Sequence, residues 1–170
     1  MKMKGEMYMY ATLLKREDAT IPEEKRPEFE RNLKRFLKSA GLCSISTIDL
    51  FDRKIPTLID SNTTASEFTV RYNYVDDIGE EPFGFDKEKA ECWSGSQGYR
   101  MHKHAVLAAY ELQALYTEGD VAVVVDGEPI DEQAYIAWLN DTLGTSFEVI
   151  SKSCLRKNFK ICFSGRMGVW

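Results

Sequence analysis

The segment from Tyr99 to Thr117 constrains the fold more than any other part of this chain. Apolar residues recur in it at helical spacing, and Gly119 supplies a stop shortly after its end. Its apolar positions cover most of the circumference: Met101, Ala105, Val106, Leu107, Ala108, Ala109, Tyr110, Leu112 and Leu115. Because a helix that is apolar nearly all round must be covered on several sides, we expect it to be the central helix of a layered domain.

Two further helices are predicted. Pro27 is suited to a first helical turn and Gly41 to a stop, so one helix is predicted over residues 27–40. Its apolar residues share one face: Phe29, Leu33, Phe36, Leu37 and Ala40. Asp131 is typical of an N-cap and Gly144 of a C-terminal stop, which predicts a helix between them. Its apolar residues are Tyr135, Trp138, Leu139 and Leu143.

Strands are predicted from two kinds of pattern. From residue 68 to residue 74, aromatic and aliphatic residues alternate with polar ones, which indicates a half-buried strand. The β-branched run 121–125 lacks alternation, which indicates a strand covered on both faces. Further strands are predicted over 7–14, 43–51, 146–150 and 158–163.

Proline and glycine mark the expected irregular segments. Pro56 is expected to break the chain after the 43–51 strand. Residues 76–98 contain Pro82 and four glycines, so they are interpreted as a long, loop-rich segment with at most a short helical turn near 86–92.

The order of these elements predicts the fold class. Through residue 125 it is β-α-β-β-α-β, the order of a ferredoxin-like layer, and a C-terminal helix and two strands extend it. We therefore predict a single α+β domain over residues 1–170 with a mixed or antiparallel sheet. A domain of this length buries roughly 70% of the surface of its unfolded chain, so it needs neither disulfides nor metals to fold.

Targeting signals and cysteine pattern bear on the compartment. The N-terminus lacks the apolar core of a signal peptide, and the apolar runs, such as 105–110, are far shorter than the roughly 20 residues that cross a bilayer. The four cysteines form no CxxC pair. We expect a cytoplasmic protein with reduced thiols and no membrane partner.

Charge is distributed unevenly along the chain, whose net charge is −5. Residues 104–151 contain nine acidic residues and no lysine or arginine, whereas residues 152–170 contain five basic residues and no acidic one. With Phe159, Phe163 and Trp170, the basic end suits contacts with the phosphates and bases of nucleic acid. The acidic remainder repels a polyanion, so a basic edge strand that docks beside the acidic block is the favoured interpretation.

One local cluster has the composition of a catalytic site. Cys92 is followed by a glycine-containing segment and by His102 and His104, the two histidines of the chain. A cysteine nucleophile needs a base to form its thiolate, so the candidate catalytic set is Cys92 with His102 or His104. The favoured alternative is a buried, inert Cys92 beside two ordinary histidines, because no third residue that would orient the base is identifiable.

Neither a metal nor a cofactor is predicted. His102 and His104 are two positions apart on a predicted helix, roughly 200° around its axis, so they cannot share one ion. The acidic pair Asp76 and Asp77 lacks the spacing of an EF-hand. The glycines of 95–98 lack the lysine and hydroxyl residue of a P-loop.

Aromatic residues gather around the 76–98 segment and form a candidate ligand or partner patch: Tyr72, Tyr74, Phe83, Phe85, Trp93 and Tyr99. Tyrosine and tryptophan are favoured at protein interfaces. The same residues serve equally well to clamp the segment onto the core.

The predicted function is that of a non-enzymatic binding or accessory protein that acts through contacts with another protein. It rests on a full set of helices and strands without an assembled catalytic set. The first alternative is a Cys/His-dependent enzyme or small-ligand-binding protein that uses residues 92–104. The second is nucleic-acid binding through the basic C-terminal strand.

Overall fold

A computed structural model describes residues 11–15, 19–40, 44–48, 54–57, 67–75, 78–94, 103–125, 128–150 and 162–164. The strands in these residues are β1 (Ala11–Lys15), β2 (Ser44–Ile48), β3 (Lys54–Thr57), β4 (Glu67–Val75), β5 (Ile78–Asp86), β6 (Glu91–Ser94), β7 (Val121–Val125), β8 (Glu128–Pro129) and β9 (Cys162–Ser164). The helices are α1 (Arg26–Ser39), which follows a 3₁₀ turn at Glu23–Lys25, α2 (Lys103–Tyr116) and α3 (Glu132–Leu143).

The strand pairs of the described residues are antiparallel. One sheet has the order β8-β7-β1-β9, a second has the order β4-β5-β6, and β2 pairs with β3. The protein is therefore an α+β fold with antiparallel sheet, as predicted. The ferredoxin-like order is not confirmed, because β1 lies between β7 and β9 and the strands between α1 and α2 belong to the other two sheets.

Helix α2 is the central helix, which confirms the expectation from its apolar circumference. It contacts α1, α3, β6 and β7. Eleven of its 14 residues are buried. Its buried side chains pack with large, fully buried residues of the neighbouring elements, such as Phe36 of α1 and Phe85 of β5, each of which contributes roughly 1.5–3 kcal/mol by its burial.

A buried pair of hydrogen bonds joins α1 to α2 at Tyr116. Asn32 Nδ2 donates to the Tyr116 hydroxyl oxygen (2.8 Å), and that hydroxyl donates to Glu28 Oε1 (2.7 Å). Burial raises the pKa of Tyr116 to about 12, and the hydrogen bond to Glu28 adds to the rise. Because a buried donor without an acceptor costs about 1–3 kcal/mol, these bonds favour one packing of α1 on α2.

The helix limits follow the capping signals of the sequence. Helix α1 has Pro27 in its first turn, as predicted. Asp131 occupies the N-cap position of α3, although its side chain makes no capping hydrogen bond. Gly144 ends α3 with a φ of +69°, a left-handed conformation that glycine adopts at little cost. No helix in the described part of the chain is long and apolar enough to cross a membrane.

The prediction of a long loop over 76–98 is wrong for the residues that the structure describes there. They form a hairpin of β5 and β6 joined by a turn over 87–90. The Asp86 carboxylate closes this turn by accepting hydrogen bonds from the backbone N–H groups of Glu88 and Lys89, both at 3.0 Å. The N–H of Lys89 is the main reason why the pKa of Asp86 lies below its ordinary value.

Strand β5 contains a proline and a glycine, both of which are uncommon inside strands. Pro82 lies within β5 opposite Arg71 of β4. Gly84 lies opposite Trp93, and a Cβ at Gly84 would overlap the Trp93 indole ring. The hairpin therefore depends on tertiary contacts that local propensity does not reveal.

The predicted break at Pro56 and three of the predicted strands fare differently. Pro56 does not break the chain, because it lies within β3 opposite Ile45, beside an irregularity in the β2–β3 pairing. Residues 146–150 are not a strand; they have no regular secondary structure and lie beside α3. Strands β1 and β9 coincide with parts of the predicted 7–14 and 158–163 strands, and the remainder of those ranges lies outside the described residues.

Candidate binding surface

Cys92 lies in β6 with its side chain turned into the core. The residue is fully buried, and its backbone N–H donates to Gln113 Oε1 of α2 at 2.7 Å. Burial raises the pKa of the Cys92 thiol well above its ordinary value, and the carboxylate of Glu91 adds to the rise. The thiol is consequently protonated at neutral pH, the opposite of what a cysteine nucleophile requires.

His104 and Gln113, the residue of α2 that contacts Cys92, lie on different sides of this helix. His104 precedes Gln113 by nine positions, about 180° around the helix and about 13.5 Å along its axis at 1.5 Å per residue. The exposed His104 ring stacks on Tyr135 of α3, and its Nδ1 is hydrogen-bonded to the Tyr135 hydroxyl at 2.8 Å. The structure therefore does not bring Cys92 and His104 together, and His102 lies outside the described residues.

Metal-ligating side chains do not converge in the described part of the chain. No group of three or more histidine, cysteine, aspartate or glutamate residues there is arranged to hold an ion. The basic residues of 152–161 and Arg166, which suggested contacts with nucleic acid, lie outside the described ranges.

The aromatic residues of the candidate patch are divided between core and surface. Phe83 and Phe85 are buried, with 0% and 2% of their surface exposed, and the Phe85 ring packs on Phe29 at 5.2 Å. They thus clamp the β5–β6 hairpin onto the core. Trp93 is half-buried over Gly84. Tyr72 and Tyr74 lie in β4, where only the backbone is described, and Tyr99 lies outside the described residues.

Three of the five exposed residues on the outward side of α3 are apolar, a feature that the sequence analysis missed. We call this surface the α3 face and define it by the exposed residues of the helix: Gln133, Ala134, Ala137, Trp138 and Asp141. At about 100° per residue they fall within about 140° of one another. The buried residues Ile136, Leu139 and Leu143 lie on the opposite side. Only one of the five exposed residues is charged.

Helix α1 of the same protein shows how an ordinary exposed surface differs. Four of its six exposed residues are charged: Glu28, Arg31, Arg35 and Lys38. Such a charged outer side is what an amphipathic helix at a protein surface normally has. The α3 face departs from this pattern, and Trp138 remains 37% exposed although its ring packs edge-on against Phe36 at 5.0 Å.

The segment 145–150 is held beside α3 by one side chain. The Asn140 amide pairs with the backbone of Phe147, donating from Nδ2 to the carbonyl oxygen (2.9 Å) and accepting from the N–H at Oδ1 (2.8 Å). The Thr145 hydroxyl donates to the same Oδ1 at 2.9 Å. The Phe147 ring packs edge-on against Tyr116 at 5.8 Å. The segment is therefore anchored to both α3 and α2.

An open groove of about 310 Å³ lies between α3 and this segment. Its lining residues are Gln133, Ile136, Ala137, Asn140, Phe147, Glu148 and Val149. The groove borders the α3 face through Ala137, and Val149 at its far side is 56% exposed. Together they form a continuous, largely apolar surface.

Sequence patterns contain a signal for this surface. Ala134, Ala137 and Trp138 recur at spacings of three and four, which places them on one side of a helix. Trp138 is named among the apolar residues of the predicted helix without a side, because α3 has apolar residues all round and the periodicity does not rank its two sides. A helix that is apolar on its outer side as well as its inner side is expected to contact a further partner besides the core.

The fold and the surface define an α+β protein with an exposed apolar helix face. Comparison of the chain with models of known protein families, with curated proteins and with solved structures finds no match.

Proposed function

We propose that this chain is a cytoplasmic, non-enzymatic binding protein that docks another protein on the α3 face. The observation that carries the proposal is the exposure of Ala134, Ala137 and Trp138 on α3, next to a groove whose lining includes Ile136, Phe147 and Val149 beside polar side chains. Contiguous exposed apolar surface of this kind is typical of interaction sites, whereas single exposed apolar residues are ordinary.

The construction of the surface supports a docking role. Trp138 is the type of residue that most often dominates the energy of a protein interface. Asn140 and Phe147 hold the 145–150 segment in place before any partner arrives. A preformed surface binds with less loss of conformational entropy than one that must first be ordered.

The state of the candidate catalytic residues supports a role without chemistry. The buried Cys92 thiol has a raised pKa, and His104 is hydrogen-bonded to Tyr135 on a different side of α2. Neither residue has the environment of an activated nucleophile or its base.

Site-specific crosslinking tests the proposal in cells that express the chain. A photoreactive phenylalanine analogue replaces Ala137 on the α3 face or, as the matched control, Arg31 on the exposed side of α1. Both positions are exposed and helical, and Arg31 is about 140° around α1 from Phe36, the residue that contacts α3. The proposal predicts a discrete crosslinked protein at position 137 that is missing at position 31. Identical products at the two positions, or none at 137, would contradict it.

A further inference from the structure

The charge of the surface indicates what kind of partner it takes. Exposed carboxylates stand at both ends of α3 and beside the groove: Asp131, Asp141 and Glu148. Residues 104–151, which include the whole of the surface, contain no lysine or arginine. In the described contacts, a basic side chain reaches α3 from α1: Arg35 Nη1 donates to the carbonyl oxygen of Leu143 at 3.2 Å.

Resting on the proposed function, we infer that the partner presents a short segment in which apolar side chains are interspersed with lysine or arginine. An apolar side chain of the segment enters the groove against Ile136 and Phe147. The basic side chains lie over Asp141 and Glu148. Complementary charge of this kind speeds association and selects the partner, while the apolar contacts hold the complex together.

The size and shape of the groove fit a peptide segment better than a small molecule. Its volume of about 310 Å³ is at the lower limit of pockets that enclose drug-sized ligands, which run from about 300 to 1,000 Å³. The groove is open to solvent and shares Gln133 and Ala137 with the α3 face, so it has room for one or two side chains of a segment that also contacts that face. This matches the way in which grooves bind short segments of other proteins.

A second copy of this chain does not meet the charge requirement. Pairing two α3 faces about a two-fold axis places the same exposed carboxylates, Asp131, Asp141 and Glu148, on both sides of the interface, and residues 104–151 of neither copy supply a lysine or arginine to meet them. Like charges that face one another across an interface oppose binding. The net charge of −5 per chain adds a long-range repulsion between copies.

Two synthetic peptides of equal length test the inference with the full chain. Both carry leucine and phenylalanine at the same positions, and they differ only in having lysine or glutamate at the remaining ones. Binding is measured by fluorescence anisotropy at about 50 mM and about 300 mM NaCl, where screening of exposed charges differs strongly. We expect the lysine peptide to bind about tenfold or more tightly than the glutamate peptide at low salt, and to weaken as salt rises.

Two charge-reversed variants locate the effect. Asp141→Lys with Glu148→Lys changes the surface, whereas Glu24→Lys with Glu88→Lys makes the same change in net charge at exposed positions elsewhere. The lysine peptide is expected to bind about tenfold more weakly to the first variant and unchanged to the second. Equal binding to both variants, or no binding at up to about 1 mM peptide, would overturn the inference.

The outcomes separate this inference from the proposed function. If crosslinking at position 137 captures a partner but Asp141→Lys with Glu148→Lys leaves the capture unchanged, docking stands and the basic character of the partner is refuted. If position 137 captures nothing, the docking proposal itself fails. A captured protein that proves to be a second copy of this chain also overturns the inference, and sedimentation of the wild type and of Ala137→Arg identifies that case.

Discussion

Replacing Asn140 with alanine should release the 145–150 segment from α3. The substitution removes three side-chain hydrogen bonds, two to the backbone of Phe147 and one from the Thr145 hydroxyl. At about 1 kcal/mol net for each bond the loss is about 3 kcal/mol. Alanine has a higher helix propensity than asparagine and returns about 0.6 kcal/mol. The expected net destabilisation is therefore about 2 kcal/mol.

Urea and thermal unfolding measure this effect. For a chain of this size, about 2 kcal/mol lowers Tm by roughly 4–8 °C. Gln133→Ala is the matched control, because Gln133 is exposed on the same helix and a substitution there should stay within about 0.5 kcal/mol of the wild type. An Asn140→Ala variant as stable as the Gln133→Ala variant would refute the view that Asn140 anchors the segment.

Three further substitutions or reactions probe the core and the former catalytic candidate. Tyr116→Phe leaves the Asn32 amide without its acceptor and should cost about 1–3 kcal/mol at neutral pH by urea unfolding. Because folding raises the pKa of Tyr116 from about 10 to about 12, the wild type should lose stability as the pH rises through that window, and Tyr116→Phe should lose less; parallel curves would contradict the raised pKa. Gly84→Ala should displace the Trp93 ring, lower stability by about 1–3 kcal/mol and shift the tryptophan emission, whereas unchanged emission would show that the ring is not packed there. Cys92 should resist alkylation in the native protein up to pH 8.5 or so and react at once in urea; fast labelling at pH 6 in the native state would revive the enzyme hypothesis.

Sequence patterns predicted the helices and strands whose tertiary environment favours the same structure as their local sequence does. The start of α1 follows from Pro27 in its first turn, and α3 lies between Asp131 at its N-cap and Gly144 at its end. The apolar circumference of α2 placed it at the centre, and the β-branched run of β7 gave a buried strand. In each case one local signal and the tertiary environment agree.

The β5–β6 hairpin could not be predicted in the same way. Pro82 and Gly84 are strand breakers by propensity, and the contact of the Trp93 ring with Gly84 involves a neighbouring strand that local propensity does not reveal. The ferredoxin-like order failed to be confirmed for a related reason, since counting the hairpin as a loop omitted two strands between α1 and α2. Sheet order depends on contacts between distant residues, which a single sequence does not display.

The candidate site was predicted only in part, because the hydrophobicity of a residue does not show whether its side chain faces the core or the solvent. Phe83 and Phe85 have the composition of an interface but lie in the core, whereas Ala137 and Trp138 have the composition of a core but lie at the surface. Proximity in sequence was equally uninformative for the catalytic candidates. Cys92 and His104 are twelve positions apart, yet the turn of α2 directs them to different sides of the helix.

Hydrogen exchange of the full chain, with and without the protein captured at position 137, tests the docking surface most directly. We expect amides of Glu132–Leu143 and of 145–150 to exchange more slowly in the complex, because the partner covers the groove and stabilises its wall. Amides of Arg26–Ser39 should exchange at the same rate in both states. Protection confined to Arg26–Ser39 or to the sheets, with α3 unaffected, would contradict the assignment of the α3 face as the binding surface.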